Sequence, residues 1–397
     1  MNIPTPFARR FPFDVLCGII SQLESGDRLA FSLVNHSCNR EASKYIWRTV
    51  NIGTKLKNHS IRGLAAAADV ILSDRPRAHF VRELNIHHLE NLISLSNGPN
   101  DRTASIEKFI RALHFTPNLT RLSFTGWSFG RQFACSLALA LSAEIFPFQL
   151  EHFSTNISVC DGLEGFLVKQ WSIRSFHQIY DPQTNARPPC IPGGILPNLE
   201  SVCDSRVSAI IDVVKGRQVQ SISTSTRREE DVDSLLRGLT SSTSRSSLKT
   251  LRLSADEIDV ITDLLFRIPS DLPNLECIGF DFQNASISST DWDPFMFDSI
   301  FEFERLREFR WSGDSIPEAL WNPVNCSNAA LRRVELVLMG SGGESVVHVL
   351  TRSDENSRWR LRESKATGVQ GSPRNHSCAL LWSCATKRLT NTSTPSL

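Results

Sequence analysis

The length and charge of this chain restrict its function before any motif is considered. Its 397 residues can bury a large core, and they favour one small domain followed by one long domain over a single globule. With 43 Lys and Arg against 42 Asp and Glu, the net charge is +1, so bulk electrostatics favours neither nucleic acid nor an anionic membrane as a partner.

Cysteine usage and the N-terminus favour a reducing compartment, cytoplasmic or nuclear. We expect no secretory signal, because Met1 to Pro6 contains no apolar run. No stretch approaches the ~20 apolar residues that span a bilayer. The ten cysteines show neither Cys-x-x-Cys pairs nor matching histidine spacing. We therefore expect buried free thiols, no metal site and no cofactor.

A helix with one apolar face is predicted to begin near Pro12. Proline fits the first turn of a helix, where its fixed φ and missing N–H cost no hydrogen bond. The aliphatic residues that follow recur at three- and four-residue steps and therefore share one face: Val15, Leu16, Ile19, Ile20 and Leu23.

Two further short helices are predicted before residue 48. Asp27 is the predicted N-cap of the second helix, which carries Leu33 and Val34, and Ser37 is the predicted N-cap of the third, which leads to Trp47. Three helices of roughly ten residues each cannot enclose so many aliphatic side chains. We therefore expect part of this apolar surface to be exposed and to need a partner.

The order of the apolar residues in this segment matches a known pattern. That pattern is a hydrophobic-Pro opening, an aliphatic helix, a Ser-Leu-Val step and a Trp-Arg close. The matching residues are Phe11-Pro12, Val15-Leu16, Ile19-Ile20, Leu23, Ser32-Leu33-Val34 and Ala42 to Trp47-Arg48. Residues 8–52 thus resemble the F-box family. Phe11 stands where leucine is commoner, and Cys38 stands where a tryptophan often follows.

The resemblance implies a role in ubiquitin transfer. F-box domains dock on a Skp-type linker, which joins them to a cullin ubiquitin ligase, and the same docking is expected here. The residues shared between the small core and the linker interface would be Pro12, Leu16, Ile19, Ile20, Leu23, Leu33, Val34 and Trp47. The alternative for this segment is an ordinary helical cap on a larger domain.

A second pattern returns along the rest of the chain. An apolar residue is followed three residues later by a second and two residues after that by a third, as in Leu248-x-x-Leu251-x-Leu253. Successive clear copies begin 27, 31 and 25 residues apart, at 248, 275, 306 and 331. Six good copies begin at Val81, Leu119, Leu248, Leu275, Leu306 and Leu331, and four weaker copies begin at Leu150, Ile173, Leu199 and Val219.

Helical patterns lie between these copies, for example over residues 207–214, which Gly216 is expected to end. Alternating strands and helices predict a parallel sheet. At this period we expect residues 53–363 to form a curved leucine-rich-repeat-like solenoid, in which each unit buries its apolar face against its neighbours. The alternative is an irregular α/β domain with coincidental leucine spacing. The pattern also resembles F-box proteins with degenerate leucine-rich repeats, whose repeats hold the ligase substrate.

Arginine is prominent among the side chains expected on the strand-lined face. Its planar fork binds two oxygens of a carboxylate or phosphate at once. The speculative substrate-binding residues are Arg121, Arg252, Arg310 and Arg333. Solvated charge on a strand face is the alternative explanation.

Two polar segments are interpreted as connections or tails. The stretch from Ser221 to Ser247 is rich in Ser, Thr and Arg, and it is interpreted as a solvated connection between repeats, with a regulatory phosphorylation loop at 241–246 as the alternative. Residues 364–397 are predicted to be a disordered tail.

No catalytic motif is present in the sequence. It contains no phosphate-binding Gly-x-x-x-x-Gly-Lys loop, no His-Glu-x-x-His and no Gly-x-Ser-x-Gly elbow. His87 and His88 are adjacent on a predicted strand, so their side chains face opposite ways. We therefore expect a non-enzyme: a substrate-receptor subunit of a Skp–cullin–F-box type ligase, whose repeats hold a protein target. The alternatives are a leucine-rich-repeat scaffold outside any ligase and a hydrolase-like α/β enzyme with a deep pocket.

Overall fold

The protein divides into two compact units, Met1–Ile173 and Arg174–Leu397, which are described separately. Pro12 and residues 367–397 of the predicted tail lie outside the part of the chain that the structure describes. In the computed structural model the described residues are 13–52, 63–87, 99–125, 131–157, 162–178, 191–226, 228–255, 258–282, 300, 302–313, 330–339, 345–353 and 359–366.

The first unit begins with three short helices, α1 (Phe13–Gln22), α2 (Ser25–Ser32) and α3 (His36–Ile46). The side chain of Asn35 caps α3, because its Oδ1 accepts a hydrogen bond from the Cys38 N–H at 2.8 Å. The predicted caps are wrong. Asp27 lies in the first turn of α2, and Ser37 lies inside α3, two residues after the N-cap Asn35.

The rest of the first unit alternates strands with helices. Its four strands pair in parallel in chain order, and Leu84 of β2 stands between Val50 of β1 and Leu122 of β3. The prediction missed β1, since four residues directly after a helix carry too little periodicity. The elements are β1 (Thr49–Ile52), α4 (Gly63–Ser73), α5 (Arg75–Ala78), β2 (Glu83–His87), α6 (Pro99–Leu113), β3 (Arg121–Thr125), α7 (Arg131–Ala143), β4 (His152–Thr155) and α8 (Glu164–Lys169).

In the second unit the described elements alternate between strand and helix from β6 to β9. Strands β5 to β11 pair in parallel in chain order. The elements are β5 (Ser175–Gln178), β6 (Ser201–Asp204), α9 (Val207–Val214), β7 (Ser221–Thr226), α10 (Glu229–Thr240), β8 (Thr250–Ala255), α11 (Ile258–Asp271), β9 (Cys277–Phe282), β10 (Glu308–Gly313), β11 (Arg333–Met339), β12 (Ser345–Thr351) and β13 (Arg360–Ala366).

The last two strands depart from the repeat. β12 and β13 are antiparallel to their neighbours. β13 continues to Ala366, so the predicted start of the tail at residue 364 is wrong by at least three residues. This strand carries Leu361 among charged and polar side chains, and a polar composition is common in strands that pair on one side only. The sequence of this strand therefore contains no periodic apolar pattern from which it could have been predicted.

All ten copies of the apolar pattern begin two residues before a strand. The strand starts at 250, 277, 308 and 333 therefore keep the predicted spacings of 27, 31 and 25 residues. The second and third positions of each copy are buried, as Leu251 and Leu253 of β8 illustrate. The prediction of parallel strands alternating with helices is confirmed. The curved leucine-rich-repeat solenoid stays a prediction.

A repeated backbone contact joins successive repeats. The carbonyl oxygen of Lys249, just before β8, accepts hydrogen bonds from the N–H groups of Glu276 and Cys277 at 2.8 and 2.9 Å. Glu276 in turn accepts from the two corresponding N–H groups before β10. The asparagine of a Pro-Asn-Leu copy adds a side-chain contact, since Asn118 Nδ2 donates to the His79 carbonyl at 2.7 Å. These bonds fix the strand register from one repeat to the next.

The segment interpreted as a solvated connection is ordered and partly buried. It comprises β7, α10 and a short 3₁₀ turn, Thr243–Arg245. The Ser244 side chain is fully buried, and its hydroxyl donates to the Arg217 carbonyl at 2.8 Å and accepts from the Val219 N–H at 3.1 Å. The interpretation as a solvated connection is therefore wrong, and Ser244 is inaccessible to a kinase in the folded protein.

All three apolar positions of the six good copies of the pattern are buried. Aromatic side chains fill much of the space in each unit: Phe124 lies 6.3 Å from Phe153 in the first, and Phe282 lies 4.6 Å from Trp311 in the second, measured between ring centroids. Gly216 adopts a φ of +72° just after α9, as expected of a helix-ending glycine. Among the described residues, no helix is both long and apolar enough to cross a membrane.

Candidate protein-interaction surfaces

The three N-terminal helices expose a set of large aliphatic side chains. Val15 and Ile19 lie one turn apart on α1, and each is more than 40% exposed. Leu29 and Leu33 are similarly spaced at α2, where Leu33 is 84% exposed and the following Val34 is 64% exposed. We call these five residues the helical apolar surface. Exposed aliphatic side chains at this density are typical of a surface that binds another protein.

The predicted linker-binding residues divide between the core and this surface. Ile19, Leu33 and Val34 are exposed, whereas Ile20 is fully buried and belongs to the small helical core. Leu16, Leu23 and Trp47 are half-buried. Val15 and Leu29 were not predicted as partner-binding residues. Their spacing in the sequence could have identified them. Val15 lies four residues before Ile19, and Leu29 lies four residues before Leu33, which places each pair on one side of its helix.

Polar contacts hold the helices that carry this surface. The Glu41 carboxylate on α3 is buried and lies 2.5 Å from Lys44 Nζ, and the Cys17 thiol on α1 donates to it at 3.8 Å. Arg77 on α5 donates to Asn39 Oδ1 at 3.0 Å, which fixes α3 against the following helices. The apolar side chains are therefore presented by a positioned group of helices.

Strand register in the second unit aligns charged side chains in one row. Arg252 of β8 is level with Gly279 of β9, which is level with Arg310 of β10, and Arg310 is level with Glu335 of β11. We call these four residues the sheet-face row. Arg310 Nη1 lies 3.1 Å from Glu335 Oε1, and Arg333 lies 2.5 Å from the other carboxylate oxygen.

The four predicted substrate-binding arginines divide between the two units. Arg121 lies in the first unit and pairs with Glu83 at 3.5 Å. Arg310 and Arg333 share Glu335 in the second. Arg252 differs from the other three, because no carboxylate of the described residues lies within ion-pair distance of it. Its Nε is buried without a hydrogen-bond partner, a feature that it shares with the Nε of Arg121.

A buried acid lies at the end of β6, which the sequence did not predict. Asp204 is 3% exposed, and its Oδ1 accepts from the Arg206 N–H at 2.8 Å. Burial raises the pKa of this carboxyl group, although the Arg206 guanidinium, within 3.4 Å of both its oxygens, partly opposes the shift. The nearby His177 is also buried.

The thiols and histidines of the described residues gather into no metal site. No group of three or more potential ligands occurs within those ranges. Cys38, Cys203 and Cys277 are buried, and Cys17 and Cys135 are half-buried. Burial raises the pKa of the Cys277 thiol to about 11, so this group stays protonated at neutral pH. His87 ends β2, and His88 lies outside the described residues.

Comparison with known proteins adds no identification. Neither the known family models nor the curated proteins include a match to this chain. The fold defines a mixed α/β protein with mostly parallel strands. Exposed aliphatic side chains define one candidate interaction surface, and the largely buried charges of the sheet-face row define the second.

Proposed function

We propose that this chain is the substrate-receptor subunit of a Skp–cullin–F-box type ubiquitin ligase. In this proposal the helical apolar surface binds a Skp-type linker, and the repeats hold a protein target. The exposure of Leu33 and Val34 beside α2 is the observation that carries the proposal. The resemblance of residues 8–52 to the F-box family gives the partner its identity.

The energetics of this surface favour a permanent partner. Fully burying one aliphatic side chain is worth about 1.5–3 kcal/mol, so a few such residues can supply most of the affinity of an interface. Leu33 and Val34 have most of their surface still to bury, which makes them the expected anchors. Half-buried Leu16 and Trp47 have less to gain and act mainly by supporting the helices.

The proposed chemistry is proximity rather than catalysis by this chain. The linker and cullin bring a ubiquitin-carrying enzyme near the target that the repeats hold, and transfer becomes effectively intramolecular. No residue of this chain is assigned a role in bond formation. Its contribution is to hold two partners at once.

The experiment is a calorimetric titration of the full chain with a purified Skp-type linker. Replacing Leu33→Asp together with Val34→Asp places two charges in the interface, and we expect the affinity to fall at least about a hundredfold. Because both side chains are exposed, the thermal unfolding midpoint of the variant should stay near that of the wild type. Ile20→Asp is unsuitable, since Ile20 is fully buried and the variant would unfold.

A matched control comes from another exposed aliphatic residue. Ile145 is 78% exposed and lies outside the helical apolar surface, so Ile145→Asp makes the same chemical change elsewhere in the same unit. It should bind the linker as the wild type does. If the folded wild-type chain does not bind the linker at all, the ligase proposal is wrong and the scaffold alternative stands.

A further inference from the structure

Arg252 is held on the strand face of the second unit without a compensating carboxylate. Its side chain is half-buried, and its guanidinium group lies near the Cys277 thiol. A partly desolvated guanidinium group that lacks an anionic partner is costly in the folded protein alone. The guanidinium group is therefore available to pair with an anionic group of another molecule.

Gly279 lies between Arg252 and Arg310 in the sheet-face row. Its φ lies outside the left-handed region, so the strand does not require glycine for conformational reasons. A Cβ atom there would meet Arg252 Cγ at 3.4 Å and Arg310 Cβ at 3.5 Å, which is ordinary contact. Glycine weakens the middle of a strand, and it often marks a close approach. A side chain with atoms beyond Cβ would compete with the two arginine stems for the space over β9.

A shallow pocket forms around these two arginines. Its charged lining residues are Arg252, Arg310 and Asp281, and of the two guanidinium groups that of Arg310 is already paired with Glu335. Its lining combines the polar residues Ser223, Arg252, Ser254, Asp281 and Arg310 with Leu253, Gly279 and Phe280. Serine hydroxyls and arginine N–H groups are donors that suit an anionic group with several oxygens.

We propose that Arg252, assisted by Arg310, binds an anionic side chain on an extended segment of the protein target. This inference rests on the proposed function and names the chemistry by which the repeats recognise a target. The anionic group is a carboxylate or a phosphate, since the arginine fork binds either through two oxygens. Arg310 is already shared with Glu335, so Arg252 supplies most of the selectivity.

The shape of the surface favours a protein segment over a free small molecule. Small-molecule sites are usually concave and enclose most of the ligand, whereas this pocket is shallow. The strands of the sheet lie roughly 4.8 Å apart, and alternate side chains of each strand reach the same face. An extended segment lying on such a face would place one side chain at Arg252 and neighbouring ones over adjacent strands.

The experiment uses the full chain and four nonapeptide libraries that differ only in the fixed central residue. That residue is glutamate, phosphoserine, glutamine or serine, and the flanking positions are random and uncharged. Binding is measured by fluorescence anisotropy at low and high salt. We expect one of the two anionic libraries to bind about tenfold more tightly than its neutral counterpart, and salt to reduce the difference.

Preference for glutamate alone would assign a carboxylate, and preference for phosphoserine alone would assign a phosphate. Both outcomes support the proposal. Equal binding of all four libraries would overturn it.

Four variants separate recognition from stability. Arg252→Gln should abolish the preference for the anionic library, and Arg252→Lys should weaken it, because lysine keeps the charge but lacks the fork. Gly279→Val should reduce the preference while leaving the unfolding midpoint unchanged or higher, since valine favours strands. Arg267→Gln on α11, which removes an arginine already paired with Asp233 and Asp263, should change nothing.

A folded Arg252→Gln chain that keeps the full preference would overturn the assignment. Titrating the same preparations with the linker distinguishes this result from a failure of the ligase proposal. Arg252→Gln should bind the linker normally, and the Leu33→Asp, Val34→Asp chain should keep its peptide preference.

Discussion

At the scale of single residues, Asp204 shows how a buried carboxylate is accommodated at a strand end. Its oxygens accept hydrogen bonds from the backbone and guanidinium groups of Arg206, which lie two residues further along the chain. Burial still dominates, and the pKa of the carboxyl group is raised above its ordinary value of 3.8. The folded state therefore holds this proton more tightly than the unfolded state does.

This difference predicts a pH dependence of stability. Between pH 3.8 and the raised pKa, the folded state binds more protons at Asp204 than the unfolded state, so the free energy of unfolding falls as pH rises. Asp204→Asn removes this titration. In urea unfolding at a series of pH values, the variant should gain stability relative to the wild type as pH rises through that window. Parallel curves for the two proteins would contradict the assignment.

At the scale of elements, α9 and α10 pack closely at one glycine. A Cβ atom at Gly238 of α10 would lie 2.6 Å from Ile211 Cγ1 and 2.9 Å from Ile211 Cγ2 on α9. Isoleucine is branched at Cβ and stiff in a helix, so these atoms cannot move aside easily. Glycine is here a packing requirement between two helices of the second unit.

Gly238→Ala is therefore expected to destabilise the protein, although alanine is the better helix former. Overpacking should lower the free energy of unfolding by about 1–3 kcal/mol, measured by denaturant titration. The double variant with Ile211→Ala removes the clashing atoms and should lose less than the two single effects added together. Strict additivity would show that the helices do not meet at this point.

Apolar spacing predicted the elements well, because it records which side chains face the core. All ten strands that follow the repeated pattern were located from it, and Leu248 and Leu275 illustrate the constant two-residue offset. The antiparallel β12 and β13 were missed because they do not carry that pattern. Pairing across strands was not predictable either. Only the register reveals that Arg310 meets Glu335 and that Arg252 meets Gly279.

The candidate surfaces were only partly predictable for a related reason. Helical spacing indicated which aliphatic residues share one face of a helix, but it could not distinguish the fully buried Ile20 from the exposed Ile19. Neighbouring positions on a small helix differ in burial according to how the other helices pack, and that depends on contacts far apart in sequence. For the same reason, the serine-rich composition near Ser244 led to the wrong prediction of a solvated connection.

At the scale of the whole molecule, the two units offer surfaces of different chemistry. The first unit exposes aliphatic side chains, which suit a stable, largely apolar interface. The second presents partly paired charges, which suit selective recognition of a partner through its charged groups. A receptor that stays with one partner and selects another would need both kinds of surface.

The most direct test of this account is amide hydrogen exchange of the full chain with and without the Skp-type linker. We predict that exchange slows in α1 and α2, because linker binding stabilises the helices that carry the helical apolar surface. Strands β8 to β10 should exchange at the same rate in both states. The Leu33→Asp, Val34→Asp chain should show no linker-dependent slowing. Slowing confined to β8–β10, or none anywhere in a folded chain, would contradict the central claim.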